Sequence, residues 1–134
     1  MSDNPEVARM VRLWVQKAEN DLTNATYMLT MEEDCPFDTV CFHAQQCVEK
    51  YLKALLTWLQ IDFPKTHDLP ELLLRVPQSF GLQEHLAGVS LLNRYAVEAR
   101  YPGDWEPITR EEAEEAVSLA ERLRAVIRGH FTCF

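Results

Sequence analysis

The sequence predicts an all-α protein, an antiparallel up-and-down four-helix bundle with one additional short helix. Three observations point there. Apolar residues recur at spacings of three and four over long stretches. The breaks between those stretches are short and marked by Pro or Gly. Glycine itself is scarce, with 4 in 134 residues, whereas turn-rich β architectures need more. No internal repeat, low-complexity tract or composition shift divides the chain, so residues 1–134 read as a single helical domain with its core over about 7–130.

The first helix is predicted from about Pro5 to Leu29. Val7, Val11, Trp14, Ala18, Leu22, Ala25 and Leu29 make its apolar face, Asp3 or Asn4 can cap it, and Pro5 suits its first turn. Asp21 falls inside that apolar face, where a carboxylate needs a cationic or hydrogen-bonding partner. Pro36 ends the break that follows, and a second helix is expected from about Asp38 to Gln60. Cys41, Ala44, Val48, Tyr51, Leu52, Leu55 and Leu59 form one stripe, widened by Val40, Cys47, Ala54 and Trp58. So broad an apolar surface predicts a central helix touching at least two others. Its polar wedge is narrow: Thr39, His43, Gln46, Lys50, Lys53 and Thr57, with Glu49 beside it. A short exposed strip on an otherwise buried helix is where a site could lie.

Beyond a connector containing Pro64, Thr66 or Asp68 can cap a short third helix reaching about Val76, closed by Pro77. A fourth helix is expected over Leu82 to Glu98, with Leu86, Val89, Leu92 and Tyr95 or Ala96 inward, and then a turn through Tyr101, Pro102, Gly103 and Asp104. Thr109 to Glu112 reads as a capping box opening the last helix, whose core face is Ala113, Ala116, Val117, Ala120, Leu123 and Ile127 and whose end is marked by Gly129.

A net charge of −8 argues against broad electrostatic capture of nucleic acid, though 13 Lys and Arg remain for a local basic groove. Cys35, Cys41, Cys47 and Cys133 form no CxxC pair and have no His at zinc-finger spacing, so they read as reduced packing residues. No secretory leader precedes the first helix and no apolar run approaches about 18 residues, so a cytoplasmic protein without a membrane span is expected. Gly-rich phosphate loops, HExxH and GxSxG are absent, and no metal set or cofactor motif stands out.

Four strings stand out instead: WVQKAENDL from Trp14 to Leu22, CFHAQQCVEKYLKAL from Cys41 to Leu55, KTHDL from Lys65 to Leu69, and Arg100, Tyr101 and Pro102. In this order and spacing they resemble the HEPN family of small helical domains, from about Val7 to His130. The resemblance implies an antiparallel bundle that dimerises. It also implies one of two roles: partner of a minimal nucleotidyltransferase in a two-component, toxin–antitoxin-like system, or metal-independent ribonuclease. The ribonuclease branch carries an Arg and a His four to six residues apart near the start of the last helix.

Here the Arg position corresponds to Arg100, and no His follows it closely. Arg124 and His130 match the bare spacing but lie at the tail of the last helix. The expectation is therefore a nucleotide- or RNA-phosphate-binding module, with the ribonuclease and a purely structural interaction subunit as alternatives. Lys50, Lys53, His67 and Arg100 are the candidate anion ligands, Tyr101 can stack on a base, and Asp21 is the buried polar partner. Arg100 and His67 are the catalytic candidates, and Asp21, Lys50, His67 and Arg100 are expected in one polar pocket.

Overall fold

The computed structural model describes residues 4–95 and 107–131. Among these residues five α-helices follow one another: α1 (Pro5–Met28), α2 (Phe37–Trp58), α3 (Leu69–Leu74), α4 (Leu86–Asn93) and α5 (Arg110–Arg128). Together they form an all-α bundle, with no strand among the described residues.

α1 starts where Asn4 turns its side-chain oxygen to the Glu6 amide at 2.9 Å, with Pro5 in the first turn. Val11, Val15, Ala18 and Ala25 are buried along one face, and Asp21 is buried among them. At the other end Arg110 of α5 donates to the carbonyls of Leu29 at 3.1 Å and Met31 at 2.7 Å, so a cation covers the negative end of α1.

α2 is the axis of the molecule. It packs along α1 over the longest contact and also meets α3, α4 and α5. That is why its apolar residues occupy most of its circumference: Val40, Cys41, Ala44, Cys47, Val48, Tyr51, Leu52, Ala54, Leu55, Leu56 and Trp58 are all buried. The helix stops before the expected Gln60 without help from glycine. Gln60 itself takes a left-handed φ of 56°. Its amide and that of Ile61 then reach back to Thr57 at 3.0 Å and Leu56 at 2.9 Å, a Schellman closure of the exposed carbonyls.

The third helix is capped by Asp68, whose carboxylate accepts from the Glu71 amide at 3.1 Å. Its start is tied to α4 by the Leu69 amide donating to Asn93 at 2.9 Å. The expected helix from Leu82 is replaced at its start by a 3-10 turn over Leu82–His85, and α-geometry begins only at Leu86. The cause lies just upstream, where Gly81 turns the chain at φ 72° and offers no capping side chain. Val89 and Leu92 point inward as the periodicity requires. At its far end α4 stops at Asn93, with Arg94 and Tyr95 in a turn, short of the expected Glu98; residues 96–98 and the turn at Tyr101 to Asp104 lie outside the described residues.

α5 opens with the capping box as read: Thr109 accepts from the Glu112 amide at 3.1 Å and Glu112 returns to the Thr109 amide at 3.4 Å. Gly129 follows its last turn but keeps a right-handed φ of −62°. The chain therefore leaves α5 by i→i+3 bonds, which set Phe131 against Trp58 with ring centroids 5.5 Å apart.

One apolar cluster runs through all five helices, and Leu52, fully buried on α2, sits within it. Leu52→Ala is expected to lower unfolding free energy by about 2–5 kcal/mol through lost transfer energy and an unfilled cavity. Urea unfolding followed by circular dichroism checks this, with an unchanged slope expected.

Candidate functional site

Charge enters this core along one side of α2. Seven residues make nearly two helical turns, so His43 and Lys50 return to the same edge of the helix. Asp21 of α1 lies against both. Its Oδ1 meets His43 Nδ1 at 2.8 Å and its Oδ2 accepts from Lys50 Nζ at 2.5 Å. Asp21 is only 7% exposed, and each of its oxygens has a donor, as a buried carboxylate requires.

A second cluster lies further round the helix. Glu49, 3% exposed, takes Lys53 Nζ at 3.1 Å and His67 Nδ1 at 3.0 Å. Lys53 is covered by α1, with Trp14 5.4 Å below its ammonium, which favours the cation in a dry setting. Gln45, fully buried, donates to the His67 carbonyl at 3.4 Å and accepts from Gln46 at 2.7 Å. This cluster pins the connector before α3 to the central helix. The His67 ring itself stands out from it, with 75% of the side chain exposed.

A third cluster ties α5 to α1 and α2. Arg124 grips Glu19 with two bonds of 2.7 and 2.9 Å, the Tyr51 hydroxyl donates to the same carboxylate, and Arg128 reaches Tyr51 at 3.3 Å. Burial opposes ionisation of Glu19, but the bonds from Arg124 and Tyr51 outweigh it and hold the carboxyl below its ordinary range. Burial, and then the neighbouring Glu19 carboxylate, push the Tyr51 phenol up to about 12, so it stays a donor. Burial likewise raises Cys41 to about 11 and Cys47 further, which keeps both thiols protonated and unreactive.

The side chains singled out in the sequence are thus divided. Asp21 and Lys50 share one cluster, Lys53 and His67 share another, and Arg100 and Tyr101 lie outside the described residues. The polar wedge of α2 is less open than a surface strip, since the Lys53 side chain is 8% exposed. Arg124 and His130 are separately engaged, the first on Glu19 and the second with its ring 4.5 Å from Phe80. Sequence reading placed His43 and Glu49 only in or beside the wedge and passed over Glu19. The available signal was Gln45 and Glu49 set among the apolar residues of α2, beside its polar wedge. Among the described residues no three His, Cys, Asp or Glu side chains gather as a metal-ligand group.

The bundle and its charged inner helix define a small helical module whose polar chemistry lies between helices. The chain belongs to the HEPN domain family, whose model matches residues 11–130. A Methanocaldococcus jannaschii protein named "Putative toxin MJ1304" is 28% identical, over 96% of this chain and 92% of its own length. Two crystal structures share the fold. ST0689, described as an archaeal HEPN homologue, superposes with a TM-score of 0.69 and 27% identity, over 89% of this chain and 95% of that one. TT1696 from Thermus thermophilus gives a TM-score of 0.74 and 26% identity, over 90% of this chain and 98% of that one.

Removing one partner from a cluster tests what that cluster contributes to stability. Lys53→Met, which strips Glu49 of its buried ammonium, is expected to cost about 3–5 kcal/mol, and adding Glu49→Leu to recover much of that loss. Chemical denaturation of the single and double variants measures both. A carboxyl held below its ordinary value stabilises the fold above its unfolded value, and this contribution is lost as pH falls through its folded value. The stability gap between wild type and Arg124→Gln is therefore expected at neutral pH and should close in acid, as read by urea unfolding across that range.

Proposed function

We propose that this chain is a toxin-type HEPN module that engages the phosphates of RNA or of a nucleotide. In this reading it works in the cytoplasm as a homodimer and is paired with a nucleotidyltransferase in a two-component, toxin–antitoxin-like system. Family membership and the toxin-named relative, matched over nearly its whole length, support the toxin side of the reading. No described helix is long and apolar enough to cross a membrane.

The observation that carries phosphate binding is the setting of His67. Glu49 fixes its Nδ1 from the buried side while three quarters of the side chain faces water. A carboxylate behind an imidazole fixes the tautomer and leaves Nε2 as the working atom. Lys50, in the Asp21 cluster and 22% exposed at the helix edge, is the ammonium open to an approaching anion, while Lys53, 8% exposed, is bound to Glu49, the carboxylate that holds His67. Arg100 and Tyr101 complete the proposed ligand set, as a fork for phosphate and a stacking face for a base. Assembly about a two-fold axis would double the cationic groups and so offset a net charge of −8 locally.

Fluorescence anisotropy with a short single-stranded RNA tests this reading, with ATP and GTP as competitors. Binding is expected to weaken with salt, with a log–log slope of about −0.7 for each phosphate contacted. His67→Ala is expected to weaken it roughly tenfold, the worth of one charged hydrogen bond. If RNA, ATP and GTP all fail to bind below about millimolar, the chain is an interaction subunit without a small ligand. Sedimentation equilibrium reads the dimer independently.

A further inference from the structure

We propose that the cleft between α4 and α5 binds a short apolar peptide with free ends, its ammonium on Glu115 and its carboxylate on Arg122. The site shares no residue with the phosphate ligands named above and does not rest on that reading.

The cleft encloses about 380 Å³, within the range of small-ligand sites. Its floor is apolar: Leu92 and Leu119 are 2% and 6% exposed, with Ala116 beside them. Gly88 faces Leu119 so closely that a Cβ there would stand 3.1 Å from its side chain, and the bare backbone lets α4 draw near α5. Leu91 stands at the rim with 64% of its surface in water, an apolar side chain that a seated apolar group would cover.

Part of the rim is already satisfied. Glu112 accepts from Arg94 at 2.8 Å and from the Tyr95 hydroxyl at 3.2 Å, so these groups have their charge partnered within the protein.

Glu115 and Arg122 differ. Both line the cleft and both are exposed. Among the described residues Glu115 has no ion pair, and Arg122 has only a neutral partner, Ser118 Oγ at 2.9 Å. A guanidinium carries five N–H donors, so most of the fork is left for a carboxylate. Seven residues make nearly two helical turns, which sets the two charges on one side of α5, about 10 Å apart along its axis. Leu119 lies between them.

An acid, an apolar floor and a base in line are the complement of an ammonium, an apolar side chain and a carboxylate in line. Extended chain spans at most about 3.3–3.6 Å per residue, so three residues cover roughly 10 Å. A tripeptide with an apolar middle residue therefore meets both charges and lays its side chain on Leu92 and Leu119. A nucleotide fits poorly, because its phosphates would face the Glu115 carboxylate as well as Arg122.

Calorimetric titration of the full chain with Gly-Leu-Gly tests the site, beside Gly-Gly-Gly and the N-acetylated and C-amidated forms of the first peptide. Saturable binding of Gly-Leu-Gly below about millimolar is expected. Each capped form should bind roughly tenfold more weakly, the worth of one charged hydrogen bond, and Gly-Gly-Gly should also lose affinity. Arg122→Gln should bind the free and amidated peptides alike and still discriminate against the acetylated one. Glu115→Gln should show the reverse, with circular dichroism confirming that both variants fold.

A wild-type chain that does not bind Gly-Leu-Gly below about millimolar would overturn the proposal. So would caps that cost as much on folded Arg122→Gln and Glu115→Gln as on wild type. An acetylated peptide that binds as tightly as the free one would make the cleft a site for simple organic anions and remove the peptide assignment. Failure of RNA and ATP to bind would remove the phosphate reading and leave this one standing.

Discussion

A carboxylate taken out of water costs several kcal/mol unless its oxygens find donors, and Asp21 sits 7% exposed on the face of α1 that meets α2. Its partners, His43 and Lys50, come from α2, so the condition for burying the charge is that the two helices lie in one register. Val11, Val15, Ala18 and Ala25 share the buried face of α1, but apolar contact is tolerant of small slides. The paired hydrogen bonds are not. The ion cluster thus sets the alignment of the longest helix pair, and the rest of the bundle is assembled on that pair.

The same requirement is met again at Glu49, and a half-buried carboxylate, Glu19, is paired as well. Glu49 is met by Lys53 from its own helix and by His67 from the connector, so the chain between α2 and α3 is held down by charge as well as by apolar packing. Glu19 is met by Arg124 and Tyr51, which fastens α5 across the other two helices. A central helix buried on nearly every side has little water to offer its polar groups, so each must find a protein partner. The three clusters differ in what they leave outside. The third pairs its groups among themselves and holds no histidine, whereas the first two each include an imidazole with a ring nitrogen free of its carboxylate.

This explains how a protein with net charge −8 can retain a phosphate-directed reading. Surface lysines scattered over an acidic chain would compete with the field of their neighbours. Here the cations are aligned by buried carboxylates, so under that proposal they would need no side-chain ordering to meet a phosphate, which would lower the entropic cost of binding. The same carboxylates also neutralise part of the charge, so contacts would be few and local.

Much of the architecture was legible in the residues. The three-and-four spacing of Val11, Trp14, Ala18, Leu22 and Ala25, the cap at Asn4, the capping box at Thr109 and the broad apolar surface of α2 each follow from local chemistry and need no tertiary partner to be read. Asp21 could be marked as needing a partner for the same reason. Which partner it takes could not be read, because His43 and Lys50 lie 22 and 29 residues away and only the packing of α1 on α2 brings them near. Helix ends were likewise decided late: Gln60 adopts a left-handed turn that its type does not demand, and Gly81 turns the chain so that α4 starts four residues further on. Periodicity tells which side of a helix is buried, and it is silent on which charges will meet once that side is covered.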